Sequence, residues 1–398
     1  MALGAVLAAA LTDHSSHFYS IFIDGLDVVR EPGASPRYAV PDSSISIDEQ
    51  GPDGVSSMDF IIECTTALPI TVNDGAEVRF DFSATSYRYF RGWVDHVDYE
   101  NMPGDVGTRF KVRCTGIEAA LDWCVMPNDV VIPAGTDPGV AVQTLAAQAA
   151  GTVLGLLNVA ANGSGGSSQA FPVTTGIGGT VVTGNAITVT AGTTLREAIR
   201  EVTAQTTNAT SDLVATVDFW GGLRYYTASS GVNDSVSITV DDDPPVNGPG
   251  ENTTYGIDAS QVRAVVVKGT GVTVTVGDGS GKPGATAVLA DSTLTTVAAA
   301  TQAGQGYLRQ YASAVRGQWT YTDYDGSATG IHAFMVNPSI SDARLGLSSA
   351  FYRVTAISRT NFHGAGAGTV REDDTFSFGG TAPSVTRLTR QLTRTTLS

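Results

Sequence analysis

Five histidines, His14, His17, His96, His332 and His363, are the side chains best suited to proton transfer near neutral pH. None lies at a ligand spacing such as HExxH. His96 sits beside Asp95 and Asp98 in the middle of an alternating run and reads as a solvated strand histidine. A Ser/His/Asp triad assembles in space rather than in sequence, but no nucleophile-elbow pattern supports one. Asp241, Asp242 and Asp243 cluster carboxylates as calcium sites do. They lack the DxDxDG spacing and read as a solvated acidic turn. The stretch GDGSGKPG, Gly277–Gly284, offers glycines and Lys282. It does not fit GxxxxGK[ST] and links β-rich runs with no strand-to-helix step, so it reads as a hairpin loop rather than a phosphate cradle. Asp13, Glu49, Glu63 and Glu77 form no motif from which to assign a glycosidase pair. Tyr87, Tyr89, Phe90 and Trp93 have the composition of a sugar platform, with core packing the better reading. Cys64, Cys114 and Cys124 show no CxxC or Cys/His cluster; Cys64 and Cys114 look like small core residues of strands. No catalytic, cofactor-binding or metal-ligating residue is therefore assigned, and the chain is not expected to be an enzyme.

The elements that would have to position any site are mostly strands. In EVRFDFS, Val78, Phe80 and Phe82 alternate with Glu77, Arg79, Asp81 and Ser83. In TRFKVRC, Phe110, Val112 and Cys114 alternate with Arg109, Lys111 and Arg113. A period of two places one set in a core and the other in water. Between them YRYFRGWVDHVDYE alternates less cleanly, and Gly92 stands where the phase is lost, as a bulge glycine would. Upstream, Asp24-Gly25 between Phe22/Ile23 and Leu26/Val28 is a hairpin turn signal. SSISID and SSMDFIIE are further strands, and GIEAALDW closes the unit as a helical turn burying Ile117, Ala120 and Leu121. The expected unit is a small β-barrel or sandwich spanning 18–126, after an arm over 1–17.

The texture then changes. DPGVAVQTLAAQAAG reads as a helix with Asp137 as N-cap, Pro138 at its first position and Val140, Leu145 and Ala149 toward a core. AITVTA is a strand, and Thr193 or Thr194 caps LREAIREVTAQT with its stripe Leu195, Ile199 and Val202. DLVATVDFWGGLRYYT is a hairpin turning at Gly221-Gly222. Residues 127–258 thus form a small α/β unit ending in an exposed linker over 241–254. Residues 259–382 are β-rich again: VRAVVVKG, VTVTVG, QWTYTDY, IHAFMV, AFYRVTAIS and DTFSF are strands. One helix runs from an Asp291-Ser292 cap through Val315, with Val297, Tyr307, Tyr311 and Val315 along one side. In the tail, 383–398, Val385, Leu388 and Leu392 form an apolar stripe beside a basic one of Arg387, Arg390 and Arg394. As a helix, this stretch could dock on a partner through Arg387, Leu388, Arg390, Leu392 and Arg394; a frayed terminus is the equal alternative.

Composition bounds the function. The chain has 398 residues, 45 of them glycine, and only 16% are charged. That favours a β-dominated protein with many turns. The net charge is −16, from 23 basic and 39 acidic side chains, which argues against a nucleic-acid grip through phosphates. No apolar run reaches membrane-spanning length, so no stable membrane anchoring is expected. Ala2–Leu11 mimics a signal-peptide core without a preceding Lys or Arg and reads as a short helix or packing arm.

The order of these elements resembles the central baseplate-hub, or tail-tip hub, proteins of tailed bacteriophages. The resemblance rests on IFIDGLDVV, SISI, MDFIIE, YFRGWVDHVDYE and RFKVRCTGIEAALDWCVM, then DARLGLSSAFYRVTAISRTNF and DTFSFGGTAPSVTRLTR. It covers roughly residues 18–390. It implies a mainly β chain with an α+β insertion: two tail-tube-like β-barrels, 18–126 and 259–382, flanking the α/β middle domain. It implies a homotrimer whose six barrels continue the hexameric tail tube and enclose the DNA-exit channel. The implied neighbours are a tail tube or distal tail protein, a tape measure protein and a tip or fibre protein, with DNA present only in transit. The implied location is the virion tail tip, after synthesis in the host cytoplasm. A lumen lined by the excess carboxylates would let DNA slide without sticking. A glycan-binding module, or a cell-wall hydrolase with a site hidden in space, is the alternative.

Overall fold

The computed structural model describes residues 19–29, 38–51, 54–65, 72, 74–82, 87–101, 107–151, 181–182, 186–204, 206–207, 213–227, 237–239, 252–257, 262–281, 283–292, 294–311, 315–323, 333, 336–342, 347–365 and 369–379. The chain is mainly β. Its first part supplies β1 (Tyr19–Ile23), β2 (Leu26–Asp27), β3 (Tyr38–Ala39), β4 (Ser46–Gln50), β5 (Ser57–Cys64), β6 (Glu77–Phe82), β7 (Tyr87–Asn101) and β8 (Thr108–Gly116). Alternation does what the sequence demands. Tyr19, Ile21 and Ile23 of β1, Met58, Phe60, Ile62 and Cys64 of β5, and Val78 and Phe80 of β6 are all buried. Asp24 and Gly25 take φ of 47° and 84°, both left-handed, as the tight β1–β2 turn requires. The Asp24 carboxylate also accepts a hydrogen bond from the Glu77 amide at 3.0 Å.

The bulges of β7 are not at Gly92. Pairing with β6 slips between Arg88 and Phe90, and pairing with β8 slips between Val94 and His96, so the extra residues are Tyr89 and Asp95. Gly92 stays in register opposite Gly116. It is glycine because a Cβ there would lie 2.0 Å from the Thr115 carbonyl oxygen.

After β8 a 3-10 turn, Ile117–Ala119, leads into the one-turn helix α1 (Ala120–Trp123). The middle of the chain contributes β9 (Val130–Ile132), α2 (Pro138–Gln148), β10 (Val181–Val182), β11 (Ile187–Val189), α3 (Leu195–Ala204), β12 (Thr206–Thr207), β13 (Leu213–Val217) and β14 (Leu223–Thr227). Asp137 caps α2 by accepting from the Val140 amide at 3.1 Å, and Thr194 caps α3 by accepting from the Glu197 amide at 3.2 Å. Leu145 and Ala149 are buried as expected, but Val140 is 42% exposed. The buried positions at the start of that helix are Pro138, Gly139, Ala141 and Val142.

The last part holds β15 (Ser237–Thr239), β16 (Asn252–Ile257), β17 (Val262–Gly269), β18 (Val272–Gly277), β19 (Ala285–Ala290), α4 (Val297–Tyr311), β20 (Val315–Asp323), β21 (Val336–Asp342), β22 (Leu347–Ala365) and β23 (Thr369–Gly379). Asn252–Thr254, expected in a linker, open β16 and pair with β20. The helix starts later than its expected Asp291-Ser292 cap. Thr296 caps it by accepting from the Ala299 amide at 3.2 Å. Val297 is 65% exposed and Val315 belongs to β20, while Tyr307 is buried as the stripe required. Of the IHAFMV run, only Val336 falls in a described strand, β21.

Among the described residues, one sheet runs β16-β20-β23-β22-β4-β5-β8-β7-β6-β1-β2, with β3 added on β5 and β15-β21 added on β22. This path does not close on itself. The two β units, expected to be separate, are joined edge to edge by antiparallel pairing of β22 with β4. β17, β18 and β19 stand apart as a three-stranded sheet under α4, with a core of Val265, Val267, Ala300 and Ala303. The segment Gly277–Gly284 is therefore not a hairpin loop. It carries the chain from β18 past β17 to β19 on the far side. Among the described residues no helix is long and apolar enough to cross a membrane.

Candidate functional site

The feature that most distinguishes this sheet is the seam between its two parts. At the seam Ala356, Ile357, Ser358 and Arg359 pair with Gln50, Glu49, Asp48 and Ile47. Alternation along β4 buries Ile47 and Glu49, so a carboxylate occupies a core phase. On β22 the inward phase carries Ile357 and Arg359, and on β23 it carries Asp374 and Phe376; all four are buried. Arg359 lies directly opposite Asp374 in the ladder. Three adjacent strands thus point one charge each into the same interior.

The charges are matched at close range. Arg359 Nη1 donates to Glu49 Oε2 at 2.6 Å, and Arg359 Nε lies 3.6 Å from Asp374 Oδ1. The other Glu49 oxygen accepts from the Ala333 amide at 2.7 Å. The guanidinium also lies 5.1 Å from the Tyr89 ring centroid, a cation–π contact with the other side of the seam. Buried charges persist only when paired and hydrogen-bonded, which fixes the relative setting of the strands that bear them.

Aromatic packing crosses the seam as well. Phe362 of β22 enters the core of the first part, with ring centroids 5.4 Å from Phe80 and 6.2 Å from both Tyr19 and Tyr89. The Tyr19 hydroxyl donates to Asp42, and burial, followed by that carboxylate, pushes its pKa far above the ordinary phenol value. The middle unit is tied to the same body. The side chains of Arg88 and Arg91 donate to the Phe219 and Trp220 carbonyls at 3.3 and 3.2 Å, and Phe90 stacks on Phe219 at 6.0 Å.

Beside the seam lies a second polar centre. Arg196 of α3 donates to Asp122 at 2.9 Å, to the Glu118 carbonyl at 2.6 Å and to the Gly54 carbonyl at 3.3 Å. The Glu118 carboxyl is buried and accepts from the Ser56 hydroxyl at 2.6 Å. Burial above all pushes its pKa up, to about 7.

The residues singled out from sequence do not gather here. His96 is exposed, 3.1 Å from Asp98, as a solvated strand histidine should be. Tyr89, Phe90 and Trp93 are buried, so they are core rather than a sugar platform. Cys64, Cys114 and Cys124 are buried and form no disulfide. Asp278 sits below its ordinary range, through the Ser280 hydroxyl and amide first and Arg263 after them. His14, His17, His332, Asp241–Asp243 and the tail residues Arg387, Leu388, Arg390, Leu392 and Arg394 lie outside the described residues. Among the described residues no group of His, Cys, Asp and Glu could hold a metal ion. Of the seam residues only Glu49 is named from the sequence, as a carboxylate without a motif; Arg359 and Asp374 carry no such mark. Their signal was a charge standing in phase with Ile47, Ile357 and Phe376.

No protein-family model and no curated protein matches the sequence. Solved structures do match in shape. The 43 kDa tail protein of prophage MuSo2 from Shewanella oneidensis covers 91% of this chain and 98% of its own, with a TM-score of 0.60 at 15% identity. The tail protein from Neisseria meningitidis MC58 covers 91% of this chain and 97% of its own, with a TM-score of 0.57 at 12% identity. Prophage tail protein gp18 from Listeria monocytogenes EGD-e gives 0.50 at 9% identity over 90% of this chain. The chain has the fold of phage tail proteins, the class its order of strands resembles.

Proposed function

We propose that this chain is a structural virion protein. Three copies form the hub at the distal end of a phage tail, joining the hexameric tail tube to the tip or receptor-binding parts and enclosing the DNA-exit channel. The observation that carries this reading is the β4–β22 pairing. Two β units sit edge to edge through main-chain hydrogen bonds. Residues 18–126 and 259–382 are read as the two tube-like units, so three chains supply six and match the tube's symmetry. The fold shared with prophage tail proteins along most of the chain supports the same reading.

The partners proposed are two further copies, the tail tube or a distal tail protein, the tape measure protein and a tip or fibre protein. The tail residues Arg387, Leu388, Arg390, Leu392 and Arg394 are the proposed docking stripe. The middle unit, read as 127–258, is placed outside the ring except for β15 and β16, which pair with β21 and β20 of the second β unit, and DNA passes through the lumen without being held. No catalytic step is assigned. The net charge of −16 is read as lining the lumen, because a basic wall would hold phosphates through counterion release. The test is the mass of the full chain in solution, with imaging of the assembled particle. A trimer at the tail's distal end is expected; a monomer in both settings, or a position elsewhere in the particle, refutes the hub. A basic lumen in the assembled ring refutes the charge assignment alone.

A further inference from the structure

Glu118 stands where three parts of the chain meet. Gly51, Gly54 and Ser56, which lie between β4 and β5, are held from three sides. The Gly51 amide donates to the Thr355 carbonyl of β22 at 2.7 Å, a contact so close that a Cβ on Gly51 would lie 2.7 Å from that oxygen. The Gly54 carbonyl accepts from Arg196 of α3 at 3.3 Å. Ser56 closes the segment: its hydroxyl donates to Glu118 Oε1 at 2.6 Å and accepts from the Gln50 amide at 3.1 Å, while its carbonyl accepts from the Gly116 amide at 2.7 Å. Glu118 Oε2 is buried and has no hydrogen-bond partner among the described residues. It lies in the space that the missing side chain of Gly116 leaves open, 2.2 Å from where a Cβ would be.

Charge does not favour a carboxylate there. The cation facing Glu118 is Arg196, and its guanidinium is directed at Asp122 and at the Glu118 and Gly54 carbonyls. From β4 comes Glu49, a like charge whose own partners are Arg359 and the Ala333 amide, with Asp374 behind. β13, Leu213–Val217, brings no charged residue. On β7, Arg91 is engaged by Glu77 and the Trp220 carbonyl; on β8, Arg113 is exposed beside Asp59. A neutral carboxyl suits this site, and an ionised one leaves a buried oxygen without a donor.

The geometry points to Glu118 as a proton-operated latch that pins the β4–β5 segment against β22 when neutral and releases it when ionised. To solvate Oε2, water must enter between Gly116 and Ser56. That parts the Ser56 contacts, and with them the Gly51–Thr355 tie across the seam. Burial first, and Glu49 in addition, raise the Glu118 pKa to about 7, which places the change near neutrality; the Ser56 hydroxyl, the Glu118 backbone amide and Arg196 act against the rise, in that order. The latch concerns the chain's own seam and holds whether or not the chain forms a hub.

The test is amide exchange of the full chain, followed over residues 50–56 and corrected for the intrinsic pH dependence. If opening exposes the carboxyl fully, a closed-state pKa of about 7 against the ordinary 4.5 makes the open population rise about tenfold between pH ~6 and pH ~8. Glu118→Gln keeps the shape and the neutral form, so its exchange shows no such rise. Ser56→Ala removes a donor that favours the carboxylate and moves the midpoint upward. Wild-type exchange that follows the intrinsic rate alone, or an E118Q protein that keeps the acceleration, overturns the proposal. Where E118Q does not fold, the S56A midpoint decides: unmoved or lowered, it overturns the latch.

Discussion

Replacing Arg359 with methionine tests whether the seam depends on its buried charges. Arg359 and Asp374 are fully buried and Glu49 is 1% exposed. Arg359→Met keeps most of the side-chain volume but leaves Glu49, at 2.6 Å from the lost Nη1, and Asp374, at 3.6 Å from the lost Nε, without their shared cation. Removing one partner of a buried pair costs about 3–5 kcal/mol. Loss of the contact over Tyr89 adds about 0.5–2 kcal/mol. Against a domain stability of about 5–15 kcal/mol, the loss is large. The assay is urea unfolding followed by tryptophan fluorescence, comparing midpoints at fixed slope. The triple variant Glu49→Gln, Arg359→Met, Asp374→Asn removes the charges together and is expected to recover more than half of the loss, since neutral replacement of a buried ion cluster is often benign. A single variant within about 1 kcal/mol of wild type would refute the view that these charges set the seam. So would a triple variant no better than the single one.

Phe80→Ala opens a cavity among Tyr19, Tyr89 and Phe362 and is expected to cost about 3–5 kcal/mol in the same assay. Arg79→Ala, on the partly exposed phase of β6, should cost far less, and equal losses would show that the strand's faces are misassigned. Gly92→Ala forces a methyl group to 2.0 Å from the Thr115 carbonyl, so β7 and β8 must part locally. The expected result is at least about 1–3 kcal/mol lost, and a neutral outcome by thermal melting would remove the close-approach explanation. For Glu118 the folded pKa of about 7 exceeds the ordinary 4.5, so the folded chain retains a proton that the unfolded chain gives up. Its contribution is full below pH ~4.5, falls as pH rises and is lost above about 7. The 2.5-unit difference is worth about 3 kcal/mol. Subtracting the E118Q pH–stability profile from that of wild type should isolate this slope, and parallel profiles would reject it.

How far the fold was legible follows from what local pattern can encode. The strands β1 and β5 were readable because each buries every second residue, and β6 and β8 because Val78 and Phe80, and Val112 and Cys114, keep the same period. The caps Asp137 and Thr194 and the turn at Asp24-Gly25 were readable because each is decided within four residues. Gly92 shows the limit. The irregularity was visible, but whether a glycine marks a bulge or a close approach depends on Thr115, which lies on another strand. The helix α4 was extended too far because Val315 continues its apolar spacing, and only pairing with β16 and β23 places that residue in a sheet.

The seam lay beyond local reading for a further reason. Glu49 and Arg359 are separated by 310 positions, and each by itself looks like an ordinary solvated charge near a strand. What marks them is phase. Glu49 follows Ile47 by two, Arg359 follows Ile357 by two, and Asp374 precedes Phe376 by two, so each must share a face with a buried apolar neighbour. A charge that holds an inward phase needs an opposite charge on another strand, because desolvation would otherwise exceed what the strand's packing supplies. Glu118 is the exception: in the 3-10 turn Ile117 and Ala119 on either side are buried, yet no opposite charge reaches its carboxyl directly. The rule separates two kinds of buried charge in this chain. At the seam two carboxylates share one guanidinium and the contact between the two parts is fixed; at the neighbouring corner one carboxyl is left to a proton, and the contact there follows pH.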